Sequence, residues 1–466
     1  VTSTINDQEQ SLQAAAESWP SAQRAWYALI VLMIVLVMAI LDRQMITFLV
    51  DPIKSDLGIS DIQVSLLMGF AFVAFYILVG LPVARLSDSR SRRAVIGVGI
   101  TVWSLATAAC GLARTGWQLA ASRVGVGMGE ACNGPASFSL LSDYFPPRKL
   151  PKALAVLSIG FYIGSAITNI VGSRIVAAAA RWPELHVPII GSIRSWQLCF
   201  IIVGLPGLAV AALMTTVAEP RRRGVIAGQV LSRKVSPIPI GDVFKFLLQQ
   251  RSVYGSIFAG LALRFLVNFG SSFWLPTFFT RTYHWTMADS GFAIGAIQLT
   301  AAPLGLLAGG MLAEWYGTRG YADANMRVNL ISTLLMVPAA ALFPLMPSAW
   351  ISLVIFGLYT FLSSLGPGPA NAALQTITPN QMRAQVASIY LVIFNLVGGG
   401  LGPLLVAFLT DRVFGSGASL RYSLALTAAV LGPLACIIFA YGLAPYRQRI
   451  VNTRALDQQP PEASAG

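Results

Sequence analysis

The chain has 466 residues, of which 55% are hydrophobic and only 11% charged, with a mean hydropathy of +0.68. These values exclude a soluble multidomain enzyme, a disordered chain, a collagen and a disulfide scaffold, and they describe a protein that prefers lipid. The formal net charge of +13 invites a nucleic-acid reading, but the basic residues sit mainly in short connections between apolar runs, where positive charge sets orientation; no nucleic-acid partner is expected.

A bilayer-spanning helix uses roughly 20 apolar residues. Apolar runs, read against breaks at Pro, Gly and charge, place helices near 25–50, 61–84, 92–113, 117–145, 151–176, 195–218, 252–282, 288–313, 326–345, 349–377, 383–410 and 420–444. The expected fold is an all-α membrane protein with twelve transmembrane helices in two six-helix bundles. Residues 1–24 form a polar tail without a signal-peptide pattern, 25–218 the first bundle, 219–251 a basic linker, 252–446 the second bundle and 447–466 a polar tail that reads as disordered. About 21 of the 32 Lys and Arg fall on one side if the amino terminus is cytoplasmic, an asymmetry that fits the positive-inside rule and puts both termini in the cytoplasm of a bacterial inner membrane. The linker carries Arg221, Arg222, Arg223, Arg233, Lys234, Lys245 and Arg251, and its stretch Val243 to Leu248 suits the membrane surface, making membrane lipid a partner. Cys110, Cys132, Cys199 and Cys436 are scattered through apolar runs and read as core residues, so neither a metal site nor a cofactor is expected.

The chain repeats itself at a six-helix offset. Ala84-Arg-Leu-Ser-Asp88-Ser-Arg90-Ser-Arg92-Arg93 after helix 2 echoes Gly310-Met-Leu-Ala-Glu314-Trp-Tyr-Gly317-Thr-Arg319 after helix 8, and Asn133-Gly134-Pro135-Ala136 on helix 4 echoes Pro367-Gly368-Pro369-Ala370 on helix 10. Such self-similarity is what a duplicated transporter shows.

Two acids, Asp42 and Glu130, and three arginines, Arg43, Arg123 and Arg264, lie well inside the expected spans. Each charge at that depth costs at least about 2.5 to 3.5 kcal/mol, so each needs a partner, water or a task. Counted at about 1.5 Å per residue, Asp42 and Arg123 share the outer half as candidate partners, while Glu130 and Arg264 share the midplane. Glu130 and Asp42 are candidate proton carriers; the alternative for Glu130 is a permanently ionised partner of Arg43 or Arg264. Arg43 and Arg264, with forked donors, suit either an anion or a salt bridge, and Arg123 reads as a structural charge partner. The surplus positive charge favours an anionic substrate. Phe265, Phe269 and Phe273, spaced by four, form either an apolar wall for its tail or a core stripe, and Asn268 adds a polar contact.

The segment Ala84 to Arg93 resembles the loop signature of the major facilitator superfamily, with Ala84, Ser89 and Ser91 departing from it. The resemblance implies a gating latch formed by Asp88, Arg90, Arg92 and Arg93, with Glu314 and Arg319 as its second copy. Leu41-Asp42-Arg43, Trp103-Ser104 with Thr107, Arg123-Val-Gly-Val-Gly127-Met-Gly129-Glu130-Ala131, and Gly160, Gly164 and Gly172 resemble the spinster family. That resemblance implies a proton-linked or facilitative carrier of a lysophospholipid, sphingosine-phosphate or similar amphiphile, with Asp42 and Glu130 in coupling. A secondary carrier that works as a monomer by alternating access is the expectation. The helix 1 and helix 4 motifs also occur in anion:cation symporters, so a proton-coupled symporter of a small organic anion is the alternative, with an amphipathic-drug exporter third.

Overall fold

The computed structural model describes residues 19–146, 148–188, 191–222, 239–379 and 381–457. Most of the two tails and the linker residues Arg223, Arg233 and Lys234 lie outside them. Among the described residues, eleven helices are long and apolar enough to cross a membrane: Ala22–Phe48, Asp61–Gly80, Arg92–Cys110, Lys152–Ala179, Ser195–Met214, Arg251–Tyr283, Met287–Thr318, Ala324–Leu345, Ala349–Ile377, Gln385–Val413 and Gly417–Val451. Helix 4 runs in two shorter pieces, Gly116–Glu130 and Asn133–Tyr144, and makes the twelfth crossing. The even number returns both chain ends to one face of the bundle, here called the terminus face. The opposite one is the far face.

Local chemistry sets the helix starts. Ser60, Ser91, Thr115 and Thr286 each accept a hydrogen bond from the backbone N–H three residues on, a cap worth about 1 kcal/mol. Helices 4 and 10 break at matching places, restarting at Asn133 and at Pro367, where the Gly-Pro repeat lies. The helix 4 break falls directly after Glu130, about one turn before Gly134-Pro135. Helix 1 also stops early: its regular part ends at Gln44, tightens over Met45–Phe48, and a separate short helix, Val50–Leu57, follows. Between helices 5 and 6 the far face carries a two-stranded hairpin, Glu184–Val187 against Gly191–Arg194, which helical periodicity gives no hint of. The linker's amphipathic end is the helix Ile240–Gln249, with Val243 buried against the second bundle and Phe244 and Leu248 exposed.

The apolar core shows how the bundles meet. Towards the far face a single cluster joins Leu41, Met45 and Phe48 of the first bundle to Phe273, Trp274 and Phe278 of the second. Towards the terminus face there are two clusters, one in each bundle. The polar contacts agree. Hydrogen bonds from Ser65 to the Pro403 carbonyl, from Ile62 N–H to Asp411, from Arg281 to Asp51 and Asp61, from Thr277 to the Thr47 carbonyl, and between Gln298 and helix 5 join the bundles at mid-depth or beyond it towards the far face. Gly69 on helix 2 is pressed so near helix 11 that a Cβ there would lie 2.2 Å from the Gly399 carbonyl oxygen. The molecule is therefore shut at the far face and parted at the terminus face.

Candidate functional site

Parting the bundles leaves two adjoining cavities. The deeper, about 180 Å³, is lined by Gln44, Asn268, Phe269, Phe273, Gln298 and Tyr359 among others. The second, about 410 Å³, continues towards the terminus face between Leu32, Leu36, Phe138, Leu157 and Leu391, and shares Phe161, Tyr162, Pro367 and Phe394 with the first. Aromatic rings line both, interspersed with amide and hydroxyl side chains. Neither lining contains a charged side chain.

Of the expected binding residues, Asn268, Phe269 and Phe273 line the deep cavity, and Phe269 stacks edge-on with Phe394 at 4.9 Å. Phe265 is buried behind that wall against Tyr390 and Phe394. The stripe is thus wall for two residues and core for the third.

The five intramembrane charges divide unequally between the bundles. In the first, Glu130 is 2% exposed and its Oε2 accepts from Arg43 Nε at 3.2 Å and Nη2 at 2.5 Å. The Arg43 guanidinium also rests on the Phe72 ring, 4.4 Å from its centroid. Depth counting allows Glu130 to face Arg264, but the structure pairs it with Arg43, because the helix 4 break turns it towards helix 1. Arg123 does not bond the Asp42 carboxylate. It donates to the backbone carbonyls of Asp42, Arg43 and Leu67, since helix 1 ends at Gln44 and its last carbonyls need donors. Asp42 is fully buried, and among the described residues neither carboxyl oxygen has a hydrogen-bond partner.

In the second bundle Arg264 stands without an acid. Its Nη1 donates to Ser332 Oγ at 2.8 Å and Thr333 Oγ1 at 3.3 Å, and its Nη2 to the Ser363 carbonyl at 2.5 Å. A Cβ on Gly366 would lie 2.3 Å from Nη1, so a side chain there would displace this guanidinium in the helix 10 break. Ser364 stands three residues before Pro367-Gly-Pro, the place Glu130 holds before Asn133-Gly-Pro. Arg264 and Arg43 do not share a cavity wall. Arg264 lies one residue behind it, through Ser363, which lines the deep cavity.

At the terminus face, Arg92 bonds Asp143 and Glu219, and Ser91 and the Arg93 backbone N–H also bond Glu219. Burial pushes the Glu219 carboxyl up, but the hydrogen bonds from the Arg93 N–H, Arg92 and Ser91 together hold it below the ordinary Glu range. A depressed carboxylate contributes stability above its ordinary titration range and loses it as pH falls through the lowered value, so this anchor is intact at neutral pH. Arg90 is exposed and its carbonyl accepts from Arg222; the Asp88 side chain lies outside what is described. The second copy of the latch segment, with Glu314 and Arg319, closes helix 8. Arg319 stacks on Trp315 at 3.5 Å, and Asp323 is held by Arg327 at 3.2 Å and Arg447 at 2.8 Å. The two anchors are of opposite sign: a basic residue starts helix 3 and meets an acid beyond helix 6, whereas an acid precedes helix 9 and meets a basic residue on helix 12.

Sequence reading misses Gln44, Gln298 and the far-face group of Arg281, Asp51 and Asp61. A lone amide in an apolar run is a weaker signal than a charge, and the acids fall at helix ends where solvation is the default.

A family model for the Major Facilitator Superfamily matches residues 32–403. The chain is 27% identical over 434 residues to an MFS-type efflux pump of Mycolicibacterium smegmatis, covering 92% of this chain and 95% of that protein. It is 25% identical over 413 residues to protein spinster homolog 1 of Xenopus laevis, covering 84% and 74%. Its fold is similar to that of a bacterial homologue of the human lysosomal transporter Spinster, solved in an inward-facing and unoccupied conformation, with a TM-score of 0.75 at 23% identity over 95% of this chain and 100% of that one. Twelve helices in two six-helix bundles, parted around a central cavity and matched to the family over most of their length, establish that the chain belongs to the Major Facilitator Superfamily, a family of multi-pass membrane transporters rather than enzymes.

Proposed function

We propose that the chain is a secondary carrier that moves an anionic amphiphile through this cavity by alternating access, with Asp42 and Glu130 carrying protons. The observation that carries the reading is Arg264, a buried guanidinium with no carboxylate partner among the described residues, one residue behind the cavity wall. In the first bundle two acids offset two arginines. In the second nothing offsets Arg264, and its field in a low-dielectric site favours a negative head group. Phe269, Phe273, Phe161 and Phe394 suit an acyl or sphingoid tail. The spinster likeness points the same way. Among the described residues the Asp42 carboxyl holds no arginine while Glu130 holds the Arg43 fork, and a proton can exploit that difference as the bundles rock. In this reading both termini are cytoplasmic, the parted face opens to the cytoplasm of a bacterial inner membrane, and the monomer is the working unit.

A second reading, export of neutral amphiphiles, is favoured by the uncharged cavity lining and by the efflux pump relative. Binding of a lysophospholipid and of the monoacylglycerol with the same acyl chain separates the two. Arg264→Met should weaken lysophospholipid binding about tenfold and leave monoacylglycerol binding alone, and Arg264→Lys, which keeps the charge, should fall between wild type and Met. Equal losses for both ligands would make Arg264 a packing residue, and tighter binding of the neutral lipid by wild type would favour the second reading.

A further inference from the structure

The deep cavity holds three side-chain amides, on helices 1, 7 and 8: Gln44, Asn268 and Gln298. Hydrogen bonding fixes which end of Gln298 is used. Asn169 Nδ2 donates to the Ser165 carbonyl at 2.9 Å, and a carbonyl can only accept, so that nitrogen is assigned. The same Nδ2 reaches Gln298 at 3.0 Å, and Ser165 Oγ donates to the same atom at 3.0 Å. Gln298 must therefore offer its oxygen to helix 5, and its NH2 has no hydrogen-bond partner among the described residues. Asn268 is placed with its Oδ1 accepting from the Tyr359 hydroxyl at 2.5 Å, and no hydrogen bond of its Nδ2 is present among the described residues. No hydrogen bond of the Gln44 side chain is present among the described residues.

We infer that Gln44, Asn268 and Gln298 form a neutral donor cradle that receives the acceptor oxygens of the substrate head, a phosphate ester or a carboxylate. The inference rests on the carrier reading above and locates the head group within it. Each NH2 brings two donors, and donors without partners in a low-dielectric cavity are costly until an acceptor arrives. A cationic head finds little to bind there. Gln298 has a second duty, because its oxygen clasps helix 5 of the other bundle. When its NH2 donates to an anion the amide polarises and its oxygen becomes a better acceptor, so an occupied cradle holds the far face shut more firmly.

Gln298→Glu and Asn268→Asp test this, because each keeps the oxygen that accepts from Ser165 and Asn169 or from Tyr359 and replaces the NH2. With purified full-length protein at pH 8, both variants should bind a lysophospholipid at least tenfold more weakly than wild type and bind the matching monoacylglycerol within about threefold. Either variant serves if the other fails to fold. Unchanged lysophospholipid binding, or equal losses for both lipids, would overturn the cradle while leaving the Arg264 result standing. Failure of wild type to bind either lipid would remove the amphiphile reading and the cradle with it.

Discussion

Glu130 and Arg43 form a pair whose chemistry is set by a single oxygen. Oε2 takes both of the arginine's bonds, while Oε1 has no partner. Glu130→Gln keeps an oxygen for Arg43 but removes the charge and the ability to release a proton. If this acid couples protons, the variant should lose at least tenfold of the uptake driven by a pH gradient in proteoliposomes and retain exchange without a gradient. Wild-type response to the gradient would make Glu130 a structural counter-ion. All five intramembrane charges stand out in the sequence, because a charge in an apolar run is costly whatever surrounds it. Their partners do not. Depth counting gives height but not azimuth, and it cannot foresee that helix 1 stops at Gln44 and draws Arg123 to its carbonyls.

Among the elements, helix 7 carries the strongest polar lock on the far face. Arg281 Nη1 and Nη2 reach Asp61 at 2.8 and 3.0 Å, and Nε and Nη2 reach Asp51 at 3.0 and 2.6 Å. Asp61, fully buried, is also held by Lys54. A charge-assisted fork of this kind contributes about 1.5 to 3 kcal/mol, and losing it shifts a two-state balance by roughly ten- to a hundredfold. Arg281→Ala should accordingly raise the labelling rate of a cysteine at buried Val64 by an impermeant thiol reagent at least tenfold, in a background lacking the four native cysteines. An unchanged rate would mean that the apolar cluster alone closes this face. The duplicated Gly-Pro segments mark in the sequence where helices 4 and 10 restart, because proline suits a first turn and not a helix interior. Near the second copy of the latch the sequence flags Glu314 and Arg319 but not Asp323: Trp315, in the last turns of helix 8, takes the Arg319 guanidinium by stacking, and Arg327 and Arg447 hold Asp323.

For the whole molecule, the twelve crossings were legible from apolar run length, which the bilayer sets directly. The conformational state was not, since one sequence must serve both the open and the shut arrangement of each face. The structure shows one of the two, with a joined core at the far face and separate cores at the terminus face. A carrier must also reach the other, breaking the Arg281 fork and the Gln298 clasp while bringing the terminus-face cores together. The most direct test is the movement of a radiolabelled anionic lysophospholipid between the leaflets of proteoliposomes, read by back-extraction with albumin under an imposed pH gradient. Transfer should exceed that in protein-free vesicles, respond to the gradient and lose that response with a protonophore. Transfer no faster than in protein-free vesicles would contradict the account.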